Sequence, residues 1–197
     1  MLRVMRRWNR RAILGMAAGG LLAARGAVAQ TDPRPADPRL DRLFERLKAA
    51  GDPREAQTIE AAIWQAWLDP QDGGANSLMR LGVDAQQRGD LYGAFALFDA
   101  IVNLKPGYAE GWNRRATILF QLGRLEDSRK DAEKTLELEP RHFGALSGLG
   151  MIALRLDQPD KALEAFEKAL AVHPHLPAAK AHAEALRSQR RPRERAI

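Results

Sequence analysis

Four histidines, His142, His173, His175 and His182, are the side chains here best suited to metal or proton chemistry. His173 and His175 flank Pro174, a spacing that would let two imidazoles share a metal ion. A closed site needs about four ligands in tetrahedral geometry, and the chain has no cysteine to complete one. The pair also straddles a proline that ends a helical segment, which predicts a surface turn. Glu126, Asp127, Asp131, Glu133, Glu137 and Glu139 are dense enough for acid–base work. They alternate with Arg129, Lys130 and Lys134 at helix-face spacing, however, which predicts a solvated face laced with ion pairs. Ser147-Gly148-Leu149-Gly150 superficially resembles a nucleophile turn but lies inside a helical periodicity, with no strand leading into it. No glycine-rich phosphate loop is present. The sequence therefore assigns no catalytic residue, no metal ligand and no cofactor.

The elements that carry these residues repeat. Pro106, Pro140 and Pro174 recur at intervals of 34 residues, and 75–108, 109–142 and 143–176 align without a gap. The fourth position of each copy is Leu78, Trp112 and Leu146. The seventh is Leu81, Arg115 and Leu149, and the eighth Gly82, Ala116 and Gly150. Position 20 is Ala94, Ser128 and Ala162, position 24 is Phe98, Ala132 and Phe166, and position 27 is Ile101, Thr135 and Ala169. Apolar residues recur at helical spacing on either side of a turn, as in Leu91, Phe95, Phe98, Ile101 and Val102. Small residues at positions 8 and 20 let two helices approach closely. Gly89-Asp90, Gly123-Arg124 and Asp157-Gln158-Pro159 supply the turns, and each terminal proline stops the second helix. Such a hairpin buries its apolar face only by stacking on neighbours.

This pattern resembles the tetratricopeptide repeat (TPR) family, whose unit is a 34-residue helix–turn–helix. The resemblance implies an all-α fold: a right-handed α-solenoid of antiparallel helix pairs, with three to four repeats and a capping helix. Position 11, often Tyr in the family, is here Ala85, Leu119 and Ala153, and Arg115 departs from Leu at position 7. In the family the first helix of each pair lines a concave, peptide-binding groove. Carried over by register, the groove residues are Asn76, Arg80, Gln87, Asn113, Arg114, Thr117, Gln121, Ser147, Met151 and Arg155, accompanied by Met79, Val83, Gln86, Glu110, Phe120, Gly144, Gly148 and Leu154. The chaperone-binding branch clamps a terminal carboxylate with Lys at position 5 and Asn at position 9. Met79/Val83, Asn113/Thr117 and Ser147/Met151 stand there instead, which leaves a cytosolic heat-shock partner unsupported. Three groove arginines, Arg80, Arg114 and Arg155, face only Glu110. The guanidinium fork suits carboxylates, so a peptide or protein segment of acidic character is the expected ligand.

The N-terminus reads as an address. Residues 1–29 carry six arginines and no acid, then an apolar run over residues 12–24, then Ala27-Val28-Ala29. That order is a secretory signal with cleavage after Ala29. Its apolar run of roughly 13 residues falls short of the ~20 a helix needs to span a bilayer. Arg10-Arg11-Ala12-Ile13-Leu14 resembles a twin-arginine export motif. An exported bacterial protein located in the periplasm follows. Without these residues the remainder balances 25 basic against 25 acidic residues, although the whole chain is +6 with a pI near 10.0. The basic excess that would argue for nucleic acid therefore vanishes. The absence of cysteine excludes disulfides, thiol catalysis and a lipidated-cysteine anchor.

Residues 30–38 read as a flexible proline-rich linker. Residues 39–74 read as a divergent helical hairpin, a degenerate first repeat with Gly51-Asp52-Pro53 as its turn and Gln71–Gly74 as an insertion. Residues 177–189 form a capping helix and 190–197 a disordered basic tail. The function these features imply is a non-catalytic protein–protein interaction scaffold. The alternative is a periplasmic chaperone or maturation factor for an exported enzyme.

Overall fold

The computed structural model describes residues 37–70 and 72–194, with 191–194 by backbone alone. The expected signal, its cleavage point and nearly all of the linker lie outside the described residues. Those described form nine α-helices and no strand. These are α1 (Pro38–Ala49), α2 (Pro53–Leu68), α3 (Gly73–Gln87), α4 (Leu91–Leu104), α5 (Ala109–Gln121), α6 (Leu125–Leu138), α7 (Phe143–Arg155), α8 (Pro159–Val172) and α9 (Pro177–Glu194). From α3 onward each helix packs on the next, in three antiparallel pairs followed by α9. This is the all-α solenoid the repeat implies.

Local chemistry sets the helix ends. Asp37, Asp52, Asp72 and Asp90 stand at the N-caps of α1 to α4, and each carboxylate accepts a first-turn N–H. Short acidic side chains do this well because the first backbone donors of a helix have no partner within it. The turn inside each pair needs one left-handed residue, supplied at the same register by Gly89 (φ 77), Gly123 (φ 75) and Asp157 (φ 54). There the N–H groups of Asp90, Arg124 and Gln158 reach back to the carbonyls of Ala85, Leu119 and Ala153, each at 2.9 Å. This closes a Schellman-type end.

Within the first and third pairs, a phenylalanine ring lies flat against a glycine. A Cβ placed on Gly82 would come 2.6 Å from Cε1 of Phe98, and one placed on Gly150 would come 2.6 Å from Cε1 of Phe166. Both rings are fully buried, a burial worth about 1.5–3 kcal/mol each. The middle pair has Ala116 and Ala132 at these positions. Arg115, where the other copies have leucine, donates from Nε and Nη2 to the two oxygens of Asp131 on α6, at 2.7 and 2.8 Å, and from Nη1 to Asp99 on α4. The arginine thus joins successive pairs by charge where leucine would join them by contact. Asp131 is buried by this arrangement and does not belong to the solvated acidic face. The other acids of α6 do: Arg129 binds Glu126 and Glu133, and Lys134 binds Glu137.

Three sequence expectations change. Gly73 and Gly74 open α3 behind the Asp72 cap instead of forming a free insertion. The basic tail is helical as far as Glu194. The N-terminal hairpin, α1 and α2, is helical as expected but does not stack on α3 and α4 as a degenerate first repeat. It lies along the loops that join one repeat to the next. The Tyr108 hydroxyl donates to the carbonyl of Trp67 at 2.9 Å, and Lys105 Nζ to that of Pro70 at 2.8 Å. Arg141 binds Asp41 at 2.7 Å with its guanidinium 4.4 Å over the Phe44 ring. His173 bonds to Glu60 and His175 to the carbonyl of Ala50. A shared apolar cluster, including Leu40, Phe44, Ile59, Ile63, Trp67 and Phe143, seals the contact. Leu81 and Leu104, on the first regular pair, stay 49% and 55% exposed.

Replacing Gly150 by leucine should lower stability by about 1–3 kcal/mol through overpacking against Phe166. Gly148→Leu, one half-turn away and with nothing within 4 Å of its Cβ position, should leave stability unchanged or raised. Urea midpoints of the two variants give the comparison, and equal loss in both would contradict this packing.

Candidate functional site

The expected groove residues divide into two sets. Asn76, Arg80 and Gln87 on α3, Thr117 and Gln121 on α5, and Arg155 on α7 are exposed, while Ser147 and Met151 are half-buried. Gln86 Nε2 donates to Gln121 Oε1 at 3.4 Å, so the groove faces of α3 and α5 meet side chain to side chain. The Arg155 guanidinium lies 5.4 Å over the ring of Phe120. Neither Arg80 nor Arg155 forms an ion pair among the described residues.

Asn113 and Arg114 have other work. Glu110, in the first turn of α5, is 1% exposed and not a groove acid. Its carboxylate accepts from Asn113 Nδ2 at 2.9 Å, Arg114 Nε at 2.6 Å and His142 Nε2 at 3.0 Å. The Ala145 N–H points at His142 Nδ1 at 3.1 Å. That nitrogen is therefore the acceptor, capping α7, and Nε2 carries the proton given to Glu110. Burial pushes the Glu110 carboxyl up, but His142 and Arg114 outweigh it and hold its pKa below the ordinary value. The His142 ring also stacks on Trp67 of the hairpin at 4.1 Å and 11°.

His173 repeats the device one repeat later. Its Nδ1 accepts the His175 N–H at 3.3 Å while Nε2 reaches Glu60 Oε2 at 3.2 Å. It is fully buried, not a surface-turn ligand, and burial pushes its pKa down against the pull of Glu60. Among the described residues no three His, Asp or Glu side chains are placed to hold a metal ion. Sequence spacing could not have revealed these two histidines as anchors, because their partners lie on the hairpin or a neighbouring helix start.

Two of the clefts among the described residues flank these helices. One, of about 130 Å³, opens on the groove side between α5 and α7. The other, of about 610 Å³, lies between α6 and α8 on the opposite side, with a leucine-rich floor. Most of its rim charges pair with one another, Arg129 with Glu126 and Glu133, and Lys168 with Glu164. The hairpin borders the groove: Trp64 Cη2 lies 2.9 Å from where a Cβ on Gly144 would stand. No described helix is long and apolar enough to cross a membrane.

A stack of helix pairs with this register and this groove defines the class, and comparison with known proteins agrees. The tetratricopeptide repeat pattern matches residues 107–175. A TPR repeat-containing protein of Rhizobium etli is 40% identical over 136 residues, spanning 69% of this chain and 67% of its own. The chain belongs to the tetratricopeptide repeat family. Among solved structures, the Sgt2 TPR domain from Aspergillus fumigatus superposes with a TM-score of 0.59 at 22% identity, over 63% of this chain and 83% of that one. The first TPR of Spaghetti (RPAP3), solved bound to an HSP90 peptide, gives 0.57 at 18% identity, over 59% and 92%.

His142→Ala removes both the cap of α7 and a donor to a buried carboxylate, and should cost about 3 kcal/mol in denaturant unfolding. A second expectation concerns pH. His173 is held neutral in the native state below its ordinary value of 6.5, so the unfolded chain binds more protons as pH falls through that value, and stability drops. Glu110, depressed instead, adds stability that is lost only as pH falls through its ordinary value of 4.5 and below. Urea midpoints should therefore fall between about pH 7 and pH 5, and fall less in His173→Gln.

Proposed function

We propose that this protein is a non-catalytic interaction module of the bacterial periplasm whose groove holds a peptide segment of acidic character. One observation carries the reading. Of the arginines on or beside the groove, Arg114 and Arg115 are engaged with Glu110, Asp99 and Asp131, whereas Arg80 and Arg155 keep uncompensated charge at the register of the groove face. Guanidinium groups left without carboxylates beside an amide-lined surface (Gln86, Gln87, Gln121) are equipped to take carboxylates and backbone from a ligand. Family members support peptide binding as the mode. The Spaghetti domain was solved with SRMEEVD, a segment rich in acids, and a yeast Sti1 domain was solved in a complex with pHsp70. The Lys/Asn pairing that clamps a terminal carboxylate is absent at positions 5 and 9 here, so the acids would be read by arginine within a segment.

Export rests on the arginine-rich, apolar, Ala-x-Ala order of residues 1–29. Edman sequencing of the protein recovered from the periplasm should begin at Gln30, and an intact Met1 would remove the localisation. For the groove, Arg80→Glu with Arg155→Glu should weaken an acidic peptide ligand at least tenfold, or ~1.4 kcal/mol, with unchanged thermal stability. Arg114 is left out because reversing it would place a second carboxylate against buried Glu110.

A further inference from the structure

The middle repeat breaks the pattern at two positions that meet in space. In the third repeat Phe166, at position 24, stacks on His182 of the following helix with ring centroids 5.0 Å apart and planes 12° off parallel. The residues at the same register one repeat earlier are Ala132 and Gly148. Both the ring and its lid are thus missing from the junction of the second and third repeats. The cleft of about 130 Å³ on the groove side lies there, lined by Ala116, Ala132, Phe120, Gly144, Gly148 and Met151 among others. Its volume is comparable to the ~150 Å³ apolar cavity that takes up a benzene ring. Gly148 has nothing within 4 Å of its Cβ position, so the mouth is open on the groove face. Phe120, in the wall, carries the uncompensated Arg155 guanidinium over its ring.

We propose that this cleft is an anchor site for one aromatic side chain of the bound peptide, which takes the place of the absent phenylalanine ring, with acidic residues beside it meeting Arg155. The anchor rests on the groove reading above and adds the ligand's chemistry to it: a ring flanked by carboxylates. The helix pairs on either side cannot offer the same site, because Phe98 and Phe166 fill it from within.

The test uses two synthetic peptides, Asp-Glu-Phe-Asp-Glu and the same peptide with alanine for phenylalanine, titrated into the full chain by calorimetry. The wild type should bind the ring-bearing peptide at least tenfold more tightly. Ala116→Gly with Ala132→Phe rebuilds the glycine–phenylalanine pair of the neighbouring repeats and should abolish that preference while leaving the alanine peptide unaffected. Gly148→His, which copies the lid that His182 provides and is free of any close neighbour, should abolish it from the groove side even if the inner pair packs badly. Equal binding of the two peptides by wild type, or a preference that survives both variants, overturns the anchor. If the peptides bind equally and Arg80→Glu with Arg155→Glu weakens both, the groove stands and only the anchor falls. A ring preference that ignores the arginine changes overturns the flanking acids.

Discussion

A glycine–phenylalanine contact inside the helix pair sets the architecture. In the first and third pairs a phenylalanine ring rests on a glycine so closely that a Cβ there would meet it at 2.6 Å. The contact stands at the same register in the first and third pairs, so those two pairs close in the same way. The left-handed residue at each turn and the proline after each second helix follow from it: the chain must reverse tightly and then restart at the same height. The middle pair has alanine on both sides instead, and Arg115 clamped between Asp99 and Asp131 contributes there by charge and geometry.

This explains why the solenoid was legible in the sequence. Gly82 and Phe98, or Gly150 and Phe166, announce their contact because their types and spacing repeat. The hairpin's position was not legible. Tyr108, Arg141 and His173 reach Trp67, Asp41 and Glu60 across long stretches of chain, and nothing periodic marks those partners. The same limit applied to the groove. Register placed Arg80 and Arg155 on the face, where they stand exposed. It could not show that Glu110 points inward and draws Asn113 and Arg114 with it, since a helical wheel gives a direction and not a partner. Spacing alone puts Asp131 and His173 in solvent for the same reason: each is buried by a residue from another element.

The two histidine anchors show how polar groups become structural here. Each ring accepts a backbone N–H on one nitrogen and offers the other to a carboxylate, and the His142 ring stacks on Trp67 as well. The arrangement satisfies nearly all the buried polar atoms it creates; the Trp67 indole nitrogen is left without a partner among the described residues. Polar burial is tolerated when every group is paired, and these pairs lie at the seam where hairpin and repeats meet.

The hairpin has one more consequence, for cooperativity. A repeat array ordinarily behaves as a one-dimensional chain of units, each coupled only to its neighbours, so its ends fray and its middle unfolds piecemeal. Here a single element touches the loops after all three repeats and ties residues more than a hundred positions apart, Glu60 to His173 among them. Loss of one repeat removes support from the others, which moves the array toward all-or-none unfolding. The same contacts raise the mean sequence separation of the fold, and with it the entropy that must be lost before the native seam can form.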